Sequence, residues 1–257
     1  MTVAVAHTSA VATRHLRTFI LQPWWIVISL MQPLIYLLLF GQLFQTVGSL
    51  PAFRGSYLDF LLPGVVAMSA LSSGGWAGMT SIDDINAGIM GRLLVTPASR
   101  AAIIFGHLAQ GALILVLQTL ILVAVGVAIG ARFDGGLGGV AIMLVASLLL
   151  GSATGALSHG IGLLAGTRET LIAVSQGIIL PMTFLSTTFM VPQLMPDWMA
   201  TVAGFNPLSW AADASRAALE GTGDAAYLGA RLGWLAAFLV ASSVLALGAF
   251  RRYRRSI

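Results

Sequence analysis

Six stretches of at least 19 residues carry no Asp, Glu, Lys or Arg: 18–53, 60–82, 101–131, 135–167, 170–196 and 232–250. At a helical rise of about 1.5 Å per residue, each is long enough to cross a hydrocarbon core of about 30 Å. Backbone N–H and C=O groups cannot be left unpaired in lipid, and uninterrupted apolar runs lack the alternation of a barrel strand. The chain is therefore predicted to be an all-α polytopic membrane protein, one transmembrane domain over 1–257, with six spans near 24–44, 58–80, 104–130, 138–164, 170–190 and 230–250. Composition agrees: 58% of residues are hydrophobic and 9% charged, against about 25% charged in soluble domains.

All thirteen basic residues are arginines, and their distribution sets an orientation. With a cytoplasmic N-terminus, nine fall inside (Arg14, Arg17, Arg92, Arg100, Arg168, Arg251, Arg252, Arg254, Arg255) and four outside (Arg54, Arg132, Arg216, Arg231). Both termini are thus expected in the cytoplasm and the protein in the cell membrane. No cleaved signal peptide is expected, because the first apolar run follows about 20 mixed residues and exceeds a signal core in length. Cysteine is absent, which removes disulfides and thiol chemistry.

Three segments outside the spans have their own patterns. Near the N-terminus, Ala12, Leu16, Phe19 and Ile20 share one helical face, opposite Arg14, Arg17 and Thr18. This places an amphipathic interfacial helix at 7–22, ended by Pro23 with Trp24 and Trp25 at the lipid boundary. On the inner side, Ile85, Ile89 and Leu93 recur every four residues, with Asp83, Asp84 and Arg92 on the remaining circumference. A short cytoplasmic helix over 83–95 is predicted, capped at its start by Ser81, Asp83 or Asp84 and stopped at Thr96-Pro97. On the outer side, 191–229 is too polar and too Pro-broken to span, yet Phe189, Met190, Trp198, Met199, Phe205 and Trp210 make it interface-seeking. An ordered outer cap that packs the spans fits this segment.

At this point the chain resembles a family. The run "GIMGRLLVTPASR" is similar to the signature of type-two ABC exporter permeases, membrane subunits similar to the daunorubicin-resistance permease, through Gly88, Arg92, Leu93, Leu94, Thr96, Pro97 and Arg100. A second stretch, 180–221, resembles the family's fifth span and outer connection through Pro192, Pro196 with Trp198, Asn206-Pro207-Leu208, and Asp213 to Arg216. Ser186-Thr187 stands where the family usually has Ser-Gly. The resemblance implies a coupling helix at 83–95 that docks on a separate ATPase subunit, with Asp83, Asp84, Ile85, Ile89, Arg92, Leu93, Thr96, Pro97 and Arg100 as coupling residues. It also implies outer re-entrant helices and a pair of permeases, homodimeric or with a related chain. ATP and Mg would be bound by the partner. This chain contains no lysine, so it has no P-loop of its own.

Polar residues inside spans are the remaining candidates. Gln32, Gln42, Gln118, His159, Trp76, Gln176, Thr183, Ser186 and Thr187 lie in apolar surroundings, where such groups face another helix or a cavity. Trp76, Gln176, Thr183, Ser186 and Thr187 are the candidates for a translocation path. His107 and His159 lack partners at metal-ligand spacing, and no nucleic-acid or catalytic constellation stands out. An intramembrane enzyme would need Ser73 beside His159, and a secondary transporter would need buried ionisable groups. The reading that follows is a permease subunit moving a lipid or amphipathic drug-like substrate outward, in contact with membrane lipids and an ABC ATPase.

Overall fold

The computed structural model describes residues 23–46, 56–87 and 100–255. The predicted interfacial helix with Arg14, Arg17 and Phe19, and the segment with Ile89, Arg92, Leu93, Thr96 and Pro97, lie outside the described residues. Among the described residues the regular structure is helical: α1 (Pro23–Leu43), α2 (Tyr57–Trp76), α3 (Gly78–Asn86), α4 (Arg100–Ala128), α5 (Gly136–Ala165), α6 (Arg168–Phe184), a 3-10 turn (Pro192–Leu194), α7 (Asp197–Gly204), α8 (Pro207–Leu219) and α9 (Ala225–Arg255). Four stretches, 57–86, 111–128, 136–165 and 225–252, are long and apolar enough to cross a membrane.

The helix ends follow from local chemistry. Ser56 and Asp59 form a reciprocal capping box at the start of α2, each side chain accepting from the other's backbone N–H at 3.2 Å. Asp59 also accepts from the Arg132 N–H at 2.9 Å, which ties the α4–α5 turn to the same rim. Gly166, at φ +70°, closes α5 in the left-handed conformation that L side chains disfavour.

α5 is the central helix and packs against α2, α3, α4, α6, α8 and α9. Glycine makes this possible. A Cβ at Gly74 would overlap Thr154 and the Gly151 carbonyl, and one at Gly78 would overlap the Ser158 carbonyl. The glycines at 74, 78, 151 and 155 thus form the α2–α3/α5 seam. At Gly130, φ is +106° with open space where a Cβ would be, so this glycine serves the turn after α4 and not a helix contact.

Two expectations are corrected. Of the helix predicted over 83–95 only 83–87 is described, and there the helical structure does not begin at Asp83. Asp83 and Asp84 lie in the last turn of α3, which starts at Gly78 and closes at Ala87. The start is displaced because Gly78 N–H donates to Ser158 Oγ at 2.9 Å and Ser81 Oγ pairs with His159 Nδ1 at 2.8 Å, so the cap comes from α5. The fifth apolar helix ends at Phe184, not near 190. Its 17 residues reach about 26 Å at 1.5 Å each.

Candidate functional site

Polar groups in this apolar chain concentrate at three levels. Midway, Ser73 Oγ donates to Gln118 Oε1 and Gln118 Nε2 donates to Ser29 Oγ, both at 2.9 Å, linking α2, α4 and α1. Ser73 and His159 therefore have separate partners, Gln118 and Ser81, and the nucleophile–base pair required by the enzyme reading is not formed.

A second junction surrounds the break between α2 and α3. Ala77 N–H bonds to Gly74 O three residues back, and the Gly75 carbonyl accepts instead from Ser158 Oγ at 2.5 Å and Ser175 Oγ at 3.0 Å. Hydroxyls from α5 and α6 thus satisfy the backbone groups that a break in the helix leaves open. Below the break, Asp83 is exposed and ion-paired with Arg168, while Asp84 and Ile85 are half-buried. Arg100 opens α4. Of the predicted coupling residues, the described ones thus stand at the ends of two helices flanking the segment 88–99.

A third junction, at the start of α2, is built on α8, and its anchor entered the sequence analysis only as an expected outside arginine and as the end of the family-like run Asp213 to Arg216. Arg216 is 7% exposed. Its Nε donates to Phe60 O at 2.9 Å, its Nη2 to Thr188 O at 3.0 Å and its Nη1 to Asp213 Oδ1 at 3.2 Å, with the guanidinium 3.7 Å from the Phe60 ring centroid. Burial pushes the guanidinium pKa below its ordinary value, and the Asp213 carboxylate opposes that shift. Asp213 also accepts from Thr187 Oγ1 at 2.7 Å and lies 3.9 Å from Arg231 of α9. Gly64 leaves room for this arrangement, since a Cβ there would come 2.7 Å from Thr188 O and 3.0 Å from Arg216 Nη2. A signal was present in the sequence: Leu208, Ala212, Ser215, Arg216 and Leu219 share one helical face, so the arginine sits among small and apolar neighbours.

Asn206 joins the ends of two helices. Its side-chain oxygen accepts from Leu208 N–H at 2.9 Å, capping α8 with Pro207 at the first helical position. Its Nδ2 donates to Met182 O at 2.7 Å and Leu185 O at 2.8 Å, satisfying carbonyls at the end of α6.

The path candidates separate into two groups. Thr183, Ser186 and Thr187 are buried and bonded inside the chain: Thr183 to Ile179 O, Ser186 to Thr183 O and Thr188, Thr187 to Ser209 and Asp213. Gln176 instead is exposed on α6, and Trp76 is half-buried at the end of α2. The Ser175–Gly75 bond brings these two to the same level of the bundle.

Comparison with known proteins places this arrangement. Residues 6–219 match the model of the family described as ABC-2 type transporter. The daunorubicin resistance ABC transporter permease DrrB1 of Streptomyces coeruleorubidus is 30% identical over 219 residues, covering 85% of this chain and 77% of that protein. A protein of Cyanophora paradoxa named as a transport permease, ycf38, is 29% identical over 194 residues, 74% of this chain and 66% of that protein. A protein named as a doxorubicin resistance ABC transporter permease, DrrC, of Mycobacterium tuberculosis is 24% identical over 251 residues, 97% and 87% of the two chains. With apolar helices long enough to span a bilayer and a family match over most of its length, the chain belongs to the ABC-2 type transporters and is the membrane permease subunit of an ABC transporter.

Proposed function

We propose that this permease spans the cell membrane six times with both termini in the cytoplasm, pairs with a second copy, and exports an amphipathic drug or lipid using ATP hydrolysed by a separate ABC ATPase. Spans one and five would be α1, 21 residues long with an apolar stretch over Val27–Leu43, and α6, 17 residues long. α7 and α8 would form the outer re-entrant hairpin. That reading is supported by Leu208 clustering with Leu71 and Leu150 deep in the bundle, and Leu219 with Tyr57 and Phe60 at the rim.

The observation that carries the paired arrangement is the outward face of α6. This helix buries a single stripe, Leu171, Ser175, Ile179 and Thr183, and exposes Ala173, Gln176, Gly177 and Pro181 beside Ile172, Ile178, Leu180 and Phe184. Lipid cannot satisfy an amide, so Gln176 favours a protein or substrate neighbour over acyl chains. Two such faces opposed across a shared cavity would form the path, with Gln176 and Trp76 toward it. Its walls are apolar, which suits the drug class in the names of two relatives. Transport would alternate between inward-open and outward-open states as the ATPase pair closes and displaces residues 88–99.

Co-purification of the ATPase with Leu93→Asp tests the coupling part. An uncompensated charge in a desolvated contact costs several kcal/mol, enough to lower affinity by orders of magnitude. Loss of the ATPase with unchanged membrane level of the permease is expected. Full transport by this variant would refute the docking role.

A further inference from the structure

One ion pair joins the inner ends of α3 and α6, and neither helix explains its half of the pair. Arg168 Nε donates to Asp83 Oδ1 at 3.0 Å, and Nη2 of the same guanidinium reaches the same oxygen. Asp83 stands in the last turn of α3, where the helix dipole presents its negative end. Arg168 is the first residue of α6, where the dipole is positive. Both charges occupy the helix end that disfavours them, and only their pairing makes sense of either. A local rule broken twice and satisfied jointly marks a functional constraint.

The surroundings say which constraint. α3 is held to α5 by Gly78–Ser158 and Ser81–His159, and it leads directly into 88–99. Displacement of that segment reaches α2 and α4 through continuous chain. Toward α6 the Asp83–Arg168 pair is a direct side-chain tie, beside the longer way round through α5 and the Gly166-Thr167 turn. α6 touches its own bundle along one stripe, and the polar ties near its start include Ser175 to the Gly75 carbonyl and Arg168 to Asp83.

We infer that the Asp83–Arg168 pair is the lateral link by which movement of the coupling segment is delivered to α6, making both residues positioning residues for transport. The inference rests on reading 88–99 as the ATPase-coupling segment. Asp83 then acts within the permease and not as a contact to the ATPase. Because the two side chains are 47% and 56% exposed, the pair contributes little to stability, and breaking it leaves the fold in place.

The test uses the permease purified with its ATPase. The chain has no native cysteine, so Leu180→Cys on α6 and Val240→Cys on α9, both exposed, can carry spin labels. Their separation is measured with and without ATP and vanadate. In the doubly labelled reference the distance distribution should shift on trapping. Asp83→Asn and Arg168→Gln should retain the ATPase but lose the shift. The reversed pair Asp83→Arg/Arg168→Asp, which rebuilds the ion pair and suits both helix dipoles, should recover it. The link is overturned by an unchanged shift in Asp83→Asn, by a reference that does not shift, or by no recovery in the reversed pair. Loss of the ATPase from Asp83→Asn but not from Arg168→Gln would also overturn it, by making Asp83 a docking residue. A reference complex that holds no ATPase would overturn the docking reading, and the link with it.

Discussion

Replacing Arg216 by Met tests whether the buried guanidinium holds the outer connection onto the spans. The substitution keeps most of the side-chain length and removes three donors: those to Phe60 O at 2.9 Å, Thr188 O at 3.0 Å and Asp213 at 3.2 Å. Hydrogen bonds to a charged group contribute about 1.5–3 kcal/mol each, and breaking one side of a buried pair costs about 3–5 kcal/mol. Asp213 keeps Thr187 and a long contact to Arg231 and is one-fifth exposed, so the lower half of that range applies. At roughly 2–4 °C per kcal/mol for a chain of this size, the expected loss is on the order of 10 °C in apparent melting temperature. Arg231→Met is the control. Its partner is 3.9 Å away and its side chain 26% exposed, so it should cost at most about 1 kcal/mol. The assay is the fraction of monodisperse protein left after heating in detergent, compared between variants at one heating rate, since an apparent midpoint depends on that rate whenever unfolding is irreversible. Equal melting of the two variants would refute the reasoning. Arg216→Lys should fall between them, since a single ammonium cannot reproduce the planar fork that reaches three acceptors.

Four further outcomes are expected. Asn206→Ala should destabilise by about 1–2 kcal/mol in the same assay, because it uncaps α8 and leaves two carbonyls at the end of α6 without donors. Gly78→Ala should cost about 1–3 kcal/mol through overlap with the Ser158 carbonyl, whereas Gly177→Ala, which meets nothing within 4 Å, should leave monomer stability unchanged. Gln176→Cys should be joined between copies by a bifunctional thiol cross-linker long enough to bridge the cavity, read as a band of doubled mass; exclusive monomer would count against α6 facing its copy. Single cysteines at Ser99 and Ser256 should label only from the cytoplasm, and those at Ser49 and Thr222 only from outside; outside labelling at Ser256 would invert the topology.

Charge-free runs of about 20 residues are a local property imposed by the bilayer, so the helical class and the approximate positions of the apolar helices could be read without any knowledge of contacts. Expected bounds of 24–44 and 138–164 compare with helices at Pro23–Leu43 and Gly136–Ala165. Asn206-Pro207, noted in the sequence only for its family likeness, carries a local helix-start signal, because capping depends on residues within one turn. What depended on distant partners was not legible. Ser158, 80 residues from Gly78, moves the start of α3 away from the acidic pair that propensity favours. Asn206, 24 residues from Met182, takes up the carbonyls that let α6 stop at Phe184. Arg216 counts as an outer arginine in the sequence, and only the Phe60 carbonyl, 156 residues away, and the Thr188 carbonyl make it a buried one. The bilayer rewards every apolar run alike, so the sequence determines which segments become membrane helices. Where each helix breaks, stops and pairs its few polar groups is decided by hydrogen-bond partners that only the folded chain brings together.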